Sequence, residues 1–147
     1  MRFNKIAKAL IITTVLINLG SHNVLARENG TGSFDWGPVM DAITQVESEG
    51  NERAVSGTSC GAMQIKPILV EDCNAILKNR GLAKRFTLND RFNTKKSREM
   101  FVLIMSQYNP TNDIERAIRL WNGGIRYTVK GTQRYYNKVM KLYAERN

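Results

Sequence analysis

The chain has 147 residues, with 22 Lys+Arg against 13 Asp+Glu, one His and two Cys. That length fits one domain and leaves enough chain to bury a real core. A lone His22 and two cysteines do not make a zinc site, so no metal is implied.

Residues 1–26 read as a secretory signal peptide in three parts. Arg2, Lys5 and Lys8 form a basic start without an acid, Ala9 to Leu19 is mostly apolar, and Val24-Leu25-Ala26 offers small and medium residues to a peptidase. The apolar run is about half of the ~20 residues that a membrane span requires. No Cys lies near residue 26, which argues against a lipid anchor. The expectation is an exported chain in the periplasm or cell envelope, touching the membrane only transiently through this peptide. Taking those three basic residues from 22 leaves 19 against 13 acids, a formal charge of +6 for residues 27–147. A basic exported protein has cell-wall polymers, phospholipid head groups or nucleic acid as acidic partners. The charge is spread along every segment, so a solvated basic surface accounts for most of it.

Residues 27–34 are polar and Gly-rich, a flexible leader. From 35 onward apolar residues recur at helical spacing and strand-like alternation is scarce. A first helix is predicted over 36–48, with Asp35 as N-cap and Pro38 in its first turn. Val39, Ala42, Ile43 and Val46 make its apolar stripe, and Gly50 stops it. A short helix is expected over 61–66. Pro67 opens a third, with Ile68, Leu69, Cys73, Ile76 and Leu77 inward and Gly81 at its end. A polar connection, 84–93, carries a weak hairpin signal. The helix predicted over 94–108 is apolar almost all round, a central buried helix broken at Asn109-Pro110. The next spans 113–122, with Ile114, Ala117, Ile118 and Trp121 in register. Thr132 is the expected cap of the last, whose inward face carries Tyr136, Val139, Met140 and Tyr143. The fold class is all-α, five or six short helices in one domain over 35–147.

Cys60 and Cys73 flank the 61–70 segment. In an oxidising compartment they either form one bridge or remain two separate buried thiols.

Glu47 lies one turn beyond Ile43, at the edge of the apolar stripe. Partial burial there disfavours the charged form and raises the pKa, as a general acid near neutral pH requires. The plainer reading is a boundary glutamate at a helix end. Glu49, about 200° around the helix, faces solvent.

Several short motifs follow in order: Glu47-Ser48, Asn51, Ser56, Gly61-Ala62-Met63-Gln64, Trp121-Asn122-Gly123-Gly124 and Thr132-x-x-Tyr135. Their order and spacing resemble the catalytic domain of the soluble lytic transglycosylases, of the lysozyme-like superfamily, over residues 36–143. The departures are Gly50, Ala62, Trp121 and Gly123, none of which removes the acid. The resemblance implies a lysozyme-like groove and an enzyme that cuts peptidoglycan glycan strands between N-acetylmuramic acid and N-acetylglucosamine, without a cofactor. Glu47 would be acid and then base, and a 1,6-anhydromuramoyl end would form. It implies substrate contacts at Ser56, Met63, Gln64, Trp121, Asn122 and Tyr135. Each has a plainer role: turn serine, core methionine, solvated helix glutamine, core indole, helix cap and core tyrosine. Glu52, Glu71 and Asp72 are candidates for a second carboxylate, with Glu71 and Asp72 among solvated neighbours.

Small size fits a local hole-maker recruited by a secretion, conjugation or other envelope-spanning complex. The rivals are a muramidase on the same scaffold, a noncatalytic glycan-binding assembly protein, and a basic nucleic-acid binder. The sequence shows no single Lys/Arg stripe with interleaved aromatics, which weighs against the last.

Overall fold

The computed structural model describes residues 33–146. The expected signal peptide, residues 1–26, and most of the expected leader lie outside the described residues. Among those described, no helix is long and apolar enough to cross a membrane.

Helix α1 spans Gly37–Ser48 and buries Val39, Met40, Ala42 and Ile43. Trp36, not Asp35, holds the N-cap position, and its side chain makes no cap bond. Asp35 lies one residue before that cap and accepts from the Gly37 N–H at 2.8 Å. Glu49 ends the helix in a left-handed conformation.

A two-stranded hairpin follows, β1 (Val55–Ser56) against β2 (Ser59–Cys60), with Val55 opposite Cys60. The helix expected over 61–66 is absent. Residues 61–64 form a turn instead, closed by a bridge between Cys60 and Ile65. Gly61 and Gln64 both have positive φ, which breaks a right-handed helix at either end of the turn. Gly61 can take no side chain: a Cβ there would lie 1.7 Å from the Arg91 carbonyl oxygen.

Helix α2 is Pro67–Asn79, burying Val70, Cys73, Ile76 and Leu77. Ile68, expected inward, is 59% exposed. The weak hairpin signal in 84–93 resolves as a 3-10 turn, Leu88–Phe92, whose start is closed by a Thr87/Asp90 capping box. Asn74 ties this connection to α2, exchanging two 2.8 Å hydrogen bonds with the Phe86 backbone.

Helix α3 spans Thr94–Tyr108, as predicted, with Asn93 accepting from the Lys96 N–H as its cap. Met100, Phe101, Leu103, Ile104 and Met105 are buried. Burying a side chain of this size contributes about 1.5–3 kcal/mol. The Phe101 ring meets Trp36 at 5.6 Å and Trp121 at 5.1 Å between centroids, joining three helix neighbourhoods in one core.

Helix α4 is Ile114–Gly123, capped by Asp113. Helix α5 is Val129–Ala144, and its cap is Thr128 rather than Thr132. Thr132 is 3% exposed and inside the helix. Its hydroxyl donates to the Thr128 carbonyl and accepts from Arg119. Arg119 is 2% exposed, and its guanidinium also reaches Glu115, the Val129 carbonyl and Gln133. Its charge lies 4.4 Å from the Tyr136 ring centroid. This network clamps α5 on α4. Gly123 lets the two meet closely, since a Cβ there would lie 2.6 Å from Tyr127 Cβ and 2.9 Å from Thr132 Cγ2.

The described residues thus form five α-helices and one minor hairpin around a shared core, an all-α domain. Cys60 and Cys73 are both buried and both free. The bridge is not formed: Cys60 lies in β2, while the Cys73 thiol turns toward α3 and the Met100 carbonyl at 3.8 Å. Burial, with the Asp72 charge beside it, pushes that thiol up to about 12, where it is unreactive at neutral pH.

Candidate active site

An open groove of about 450 Å³ runs between the hairpin, the end of α1, α2 and the end of α4. Its polar part is lined by Glu47, Ser56, Ser59, Gln64, Lys66, Asp72 and Asn122. Its apolar part is lined by Ile68, Leu69, Ile104, Tyr108, Leu120, Trp121 and Ile125.

Glu47 projects from the last turn of α1, partly buried at the edge of the stripe. Oε1 accepts a 2.7 Å hydrogen bond from the Tyr135 hydroxyl of α5, a residue 88 positions away. Burial pushes the carboxyl above the usual glutamate range. The Tyr135 hydrogen bond and, more weakly, the Lys66 ammonium oppose that rise. The Tyr135 phenol is itself raised well above its ordinary value by burial and by the Glu47 charge, so it is a proton donor to Glu47 and not a base. A carboxyl held toward its neutral form at the wall of an open groove can protonate a leaving oxygen.

Ser48, the neighbour of the acid, donates to the Ala62 carbonyl at 2.8 Å. This staple fixes the end of α1 to the 61–64 turn and thereby Glu47 to the Gln64 wall. Arg91 holds the same wall from behind, donating to the Leu88, Thr58 and Ile65 carbonyls. The Gln64 amide N–H groups are spent on the Ala54 and Gly61 carbonyls, which leaves its amide oxygen as the group for a ligand.

The expected site residues separate three ways. Glu47, Ser56, Gln64, Trp121 and Asn122 line the groove. Tyr135 stands behind the acid and touches it. Met63 does not reach the groove: it is fully buried in the core. The turn that lifts Gln64 to the surface turns Met63 inward, and only its backbone oxygen has a site role, accepting from the Trp121 indole at 3.3 Å. Trp121 therefore combines both roles weighed for it, with its ring packed on Phe101 and also lining the groove.

Sequence reasoning missed Ser59, Lys66, Tyr108 and Ile125, and set Asp72 among solvated neighbours. Asp72 follows Ile68 and Leu69 by four and three residues, so the three share the α2 face that borders the groove. Their spacing was the available signal. Glu52 is removed as a second acid. Its carboxylate accepts from the Thr94 hydroxyl and N–H at the start of α3, away from Glu47, and the Thr94 hydroxyl bond holds it below the usual range.

Tyr135→Phe tests the pairing. Loss of the phenol removes a bond that lowers the Glu47 pKa, so the alkaline limb of the pH–rate profile should move to higher pH. Thermal stability should fall by about 1 kcal/mol, because one hydrogen bond is lost while the ring packing is kept. An unmoved limb would separate Tyr135 from the acid.

The fold and site define an all-α domain with a partly buried carboxyl, raised above the usual glutamate range, in an open groove walled by polar and apolar residues alike. Comparisons with protein-family models, with curated proteins and with solved structures each return no match.

Proposed function

We propose that this chain is a peptidoglycan lytic transglycosylase of lysozyme-like fold, exported to the cell envelope, with Glu47 as its only proton-transfer group. The observation that carries this reading is the Glu47 carboxyl, raised by burial, bonded to Tyr135 and open to a groove suited to a polar polymer. The motif order from Glu47-Ser48 to Tyr135 supports it independently.

Protonated Glu47 gives its proton to the glycosidic oxygen between N-acetylmuramic acid and N-acetylglucosamine, and the bond from that oxygen to the muramoyl anomeric carbon breaks. The resulting carboxylate takes the proton of the muramoyl 6-hydroxyl, whose oxygen bonds to the same anomeric carbon. A 1,6-anhydro ring closes and Glu47 ends as it began. The nucleophile belongs to the substrate, so its effective concentration is high and no second acid has to orient a water. Ser56 and Asn122 offer hydrogen bonds to sugar hydroxyl or N-acetyl groups, and Trp121 offers an apolar surface. The Gln64 oxygen accepts from an amide N–H.

One observation favours a second reading. Asp72 lines the same groove as Glu47, and two carboxylates across a glycosidic bond are the usual equipment of a hydrolase. Asp72→Asn separates the two. A transglycosylase should keep its rate on purified sacculi within about threefold, whereas a hydrolase that uses Asp72 should lose ~100-fold or more, as for removal of a general base. An activity gel on peptidoglycan with wild-type protein tests the enzyme reading itself: a cleared band supports cleavage, and an uncleared band with retained binding points to a noncatalytic assembly protein.

A further inference from the structure

The Arg119 side chain is 3% exposed, while that of its acidic partner Glu115 is 52% exposed. A buried guanidinium is costly to desolvate, and a packed apolar side chain holds two helices together as well or better. What the guanidinium adds is direction, because its N–H donors form a rigid planar fork. Nε donates to Glu115 at 2.7 Å, which fixes the fork to its own helix, α4. Nη1 donates to the Val129 carbonyl and the Thr132 hydroxyl, both at 3.0 Å, and Nη2 to the Gln133 amide oxygen at 2.9 Å. The Tyr136 ring centroid lies 4.4 Å from Cζ. These contacts cover residues 129–136 of α5, so the rotation of that helix about its axis is set from one point on α4.

Two parts of the site depend on that rotation. Tyr135 lies between Gln133 and Tyr136 in the chain, and its hydroxyl makes the 2.7 Å bond to Glu47. That hydroxyl stands at the end of a long side chain, so a small turn of α5 carries it off the acid. On α4, Arg119 is followed directly by Leu120, Trp121 and Asn122, which line the groove. The close approach of Thr132 to Gly123 joins the end of α4 to the same part of α5. Among charged or titratable groups, Glu47 meets Tyr135 from α5, and Lys66 and Asp72 share the groove with it from the α2 side. The stretches of α4 and of the hairpin that line the groove carry none.

We propose that Arg119 is a positioning residue for the acid: by fixing the rotation of α5 it holds the Tyr135 hydroxyl on Glu47, and by the same bonds it holds α5 to the helix that bears the Trp121–Asn122 wall. Arg119 touches neither the groove nor Glu47 and acts through Tyr135. The consequence for catalysis rests on the transglycosylase reading, whereas the positioning itself does not.

The test follows the Glu47 side-chain carboxyl by carbon NMR through a pH titration, which needs no substrate. Arg119→Lys keeps the positive charge, but one ammonium cannot reach Val129, Thr132 and Gln133 together. Thr132→Val keeps the shape and removes the hydroxyl that Nη1 meets. Both should carry the Glu47 titration to higher pH, the direction expected of Tyr135→Phe, because both loosen a bond that lowers it. Thr132→Ser keeps the hydroxyl and should titrate as wild type. Arg119→Lys added to Tyr135→Phe should move the titration no further than Tyr135→Phe alone. On sacculi, the alkaline limb of the pH–rate profile should move with the titration. A mere helix clamp would lower the melting temperature of Arg119→Lys and Thr132→Val and leave the Glu47 titration in place, which would overturn the proposal. A further shift in the double substitution, or an equal shift in Thr132→Ser, would overturn it as well. Should Arg119→Lys fail to fold, Thr132→Val against Thr132→Ser decides alone. The expected titrations in a protein that cleaves no sacculi would remove the transglycosylase reading and leave the positioning role standing.

Discussion

Glu47→Gln should abolish glycan cleavage and leave the fold intact. The amide oxygen can still accept from Tyr135, so the packing between α1 and α5 keeps its hydrogen bond. The amide cannot deliver or take a proton, and general acid–base catalysis is worth ~100- to 10,000-fold. Retention of more than about a tenth of the rate would place the acid elsewhere, and Asp72 would be next. Stability should move in the opposite direction from activity. Burial raises the folded-state pKa of Glu47 above its unfolded value. In the window between the two, the folded chain holds more protons than the unfolded one, so stability declines as pH rises through the folded pKa. The wild type therefore carries the cost of a buried charge at neutral pH and above, and the amide does not. Melting of Glu47→Gln should match or exceed that of wild type near neutrality, and the two should converge as pH falls below the ordinary glutamate range.

The second large effect is on folding. Gly61→Ala places a Cβ 1.7 Å from the Arg91 carbonyl oxygen, at a backbone φ of +78°. A left-handed alanine costs about 1–2 kcal/mol, and forcing the Arg91 backbone aside adds about 1–3 kcal/mol. A loss of this size should lower the melting temperature by ~10 °C. The damage should also reach the groove, because Gly61 N–H binds Ala54 and its carbonyl accepts from Gln64, so the hairpin with Ser56 and Ser59 shifts with it. A melting temperature within about 2 °C of wild type would contradict the close approach drawn here.

Much of this arrangement was legible in the sequence. The end of α3 followed from Asn109-Pro110, a local signal of a kind that tertiary context rarely overrides, while its Asn93 cap was not read from the sequence. Glu47 could be placed at a core edge because Ile43 and Val46 fix the phase of α1. The segment 61–66 was misread as a helix because its shape is set from outside: Arg91, far on in sequence, donates to the Thr58 and Ile65 carbonyls and presses its own carbonyl on Gly61. Arg91 and Arg119 look like surface cations by type. They are buried because backbone carbonyls and polar side chains from other elements surround them, which no window of sequence displays. Thr132 was read as the α5 cap, and Thr128, four residues earlier, holds that place instead. The hydrogen bond from Gly131 N–H to Thr128 and the Arg119 contact to Thr132 decide between them.

The proposed anhydro-forming cleavage by one carboxyl can be read in the fragments released from intact sacculi, by mass spectrometry. Soluble muropeptides should end in 1,6-anhydromuramic acid, lighter by one water than the hydrolytic product. They should be missing from digests with Glu47→Gln. Fragments ending in reducing muramic acid would contradict the account and assign the groove to a hydrolase working with water.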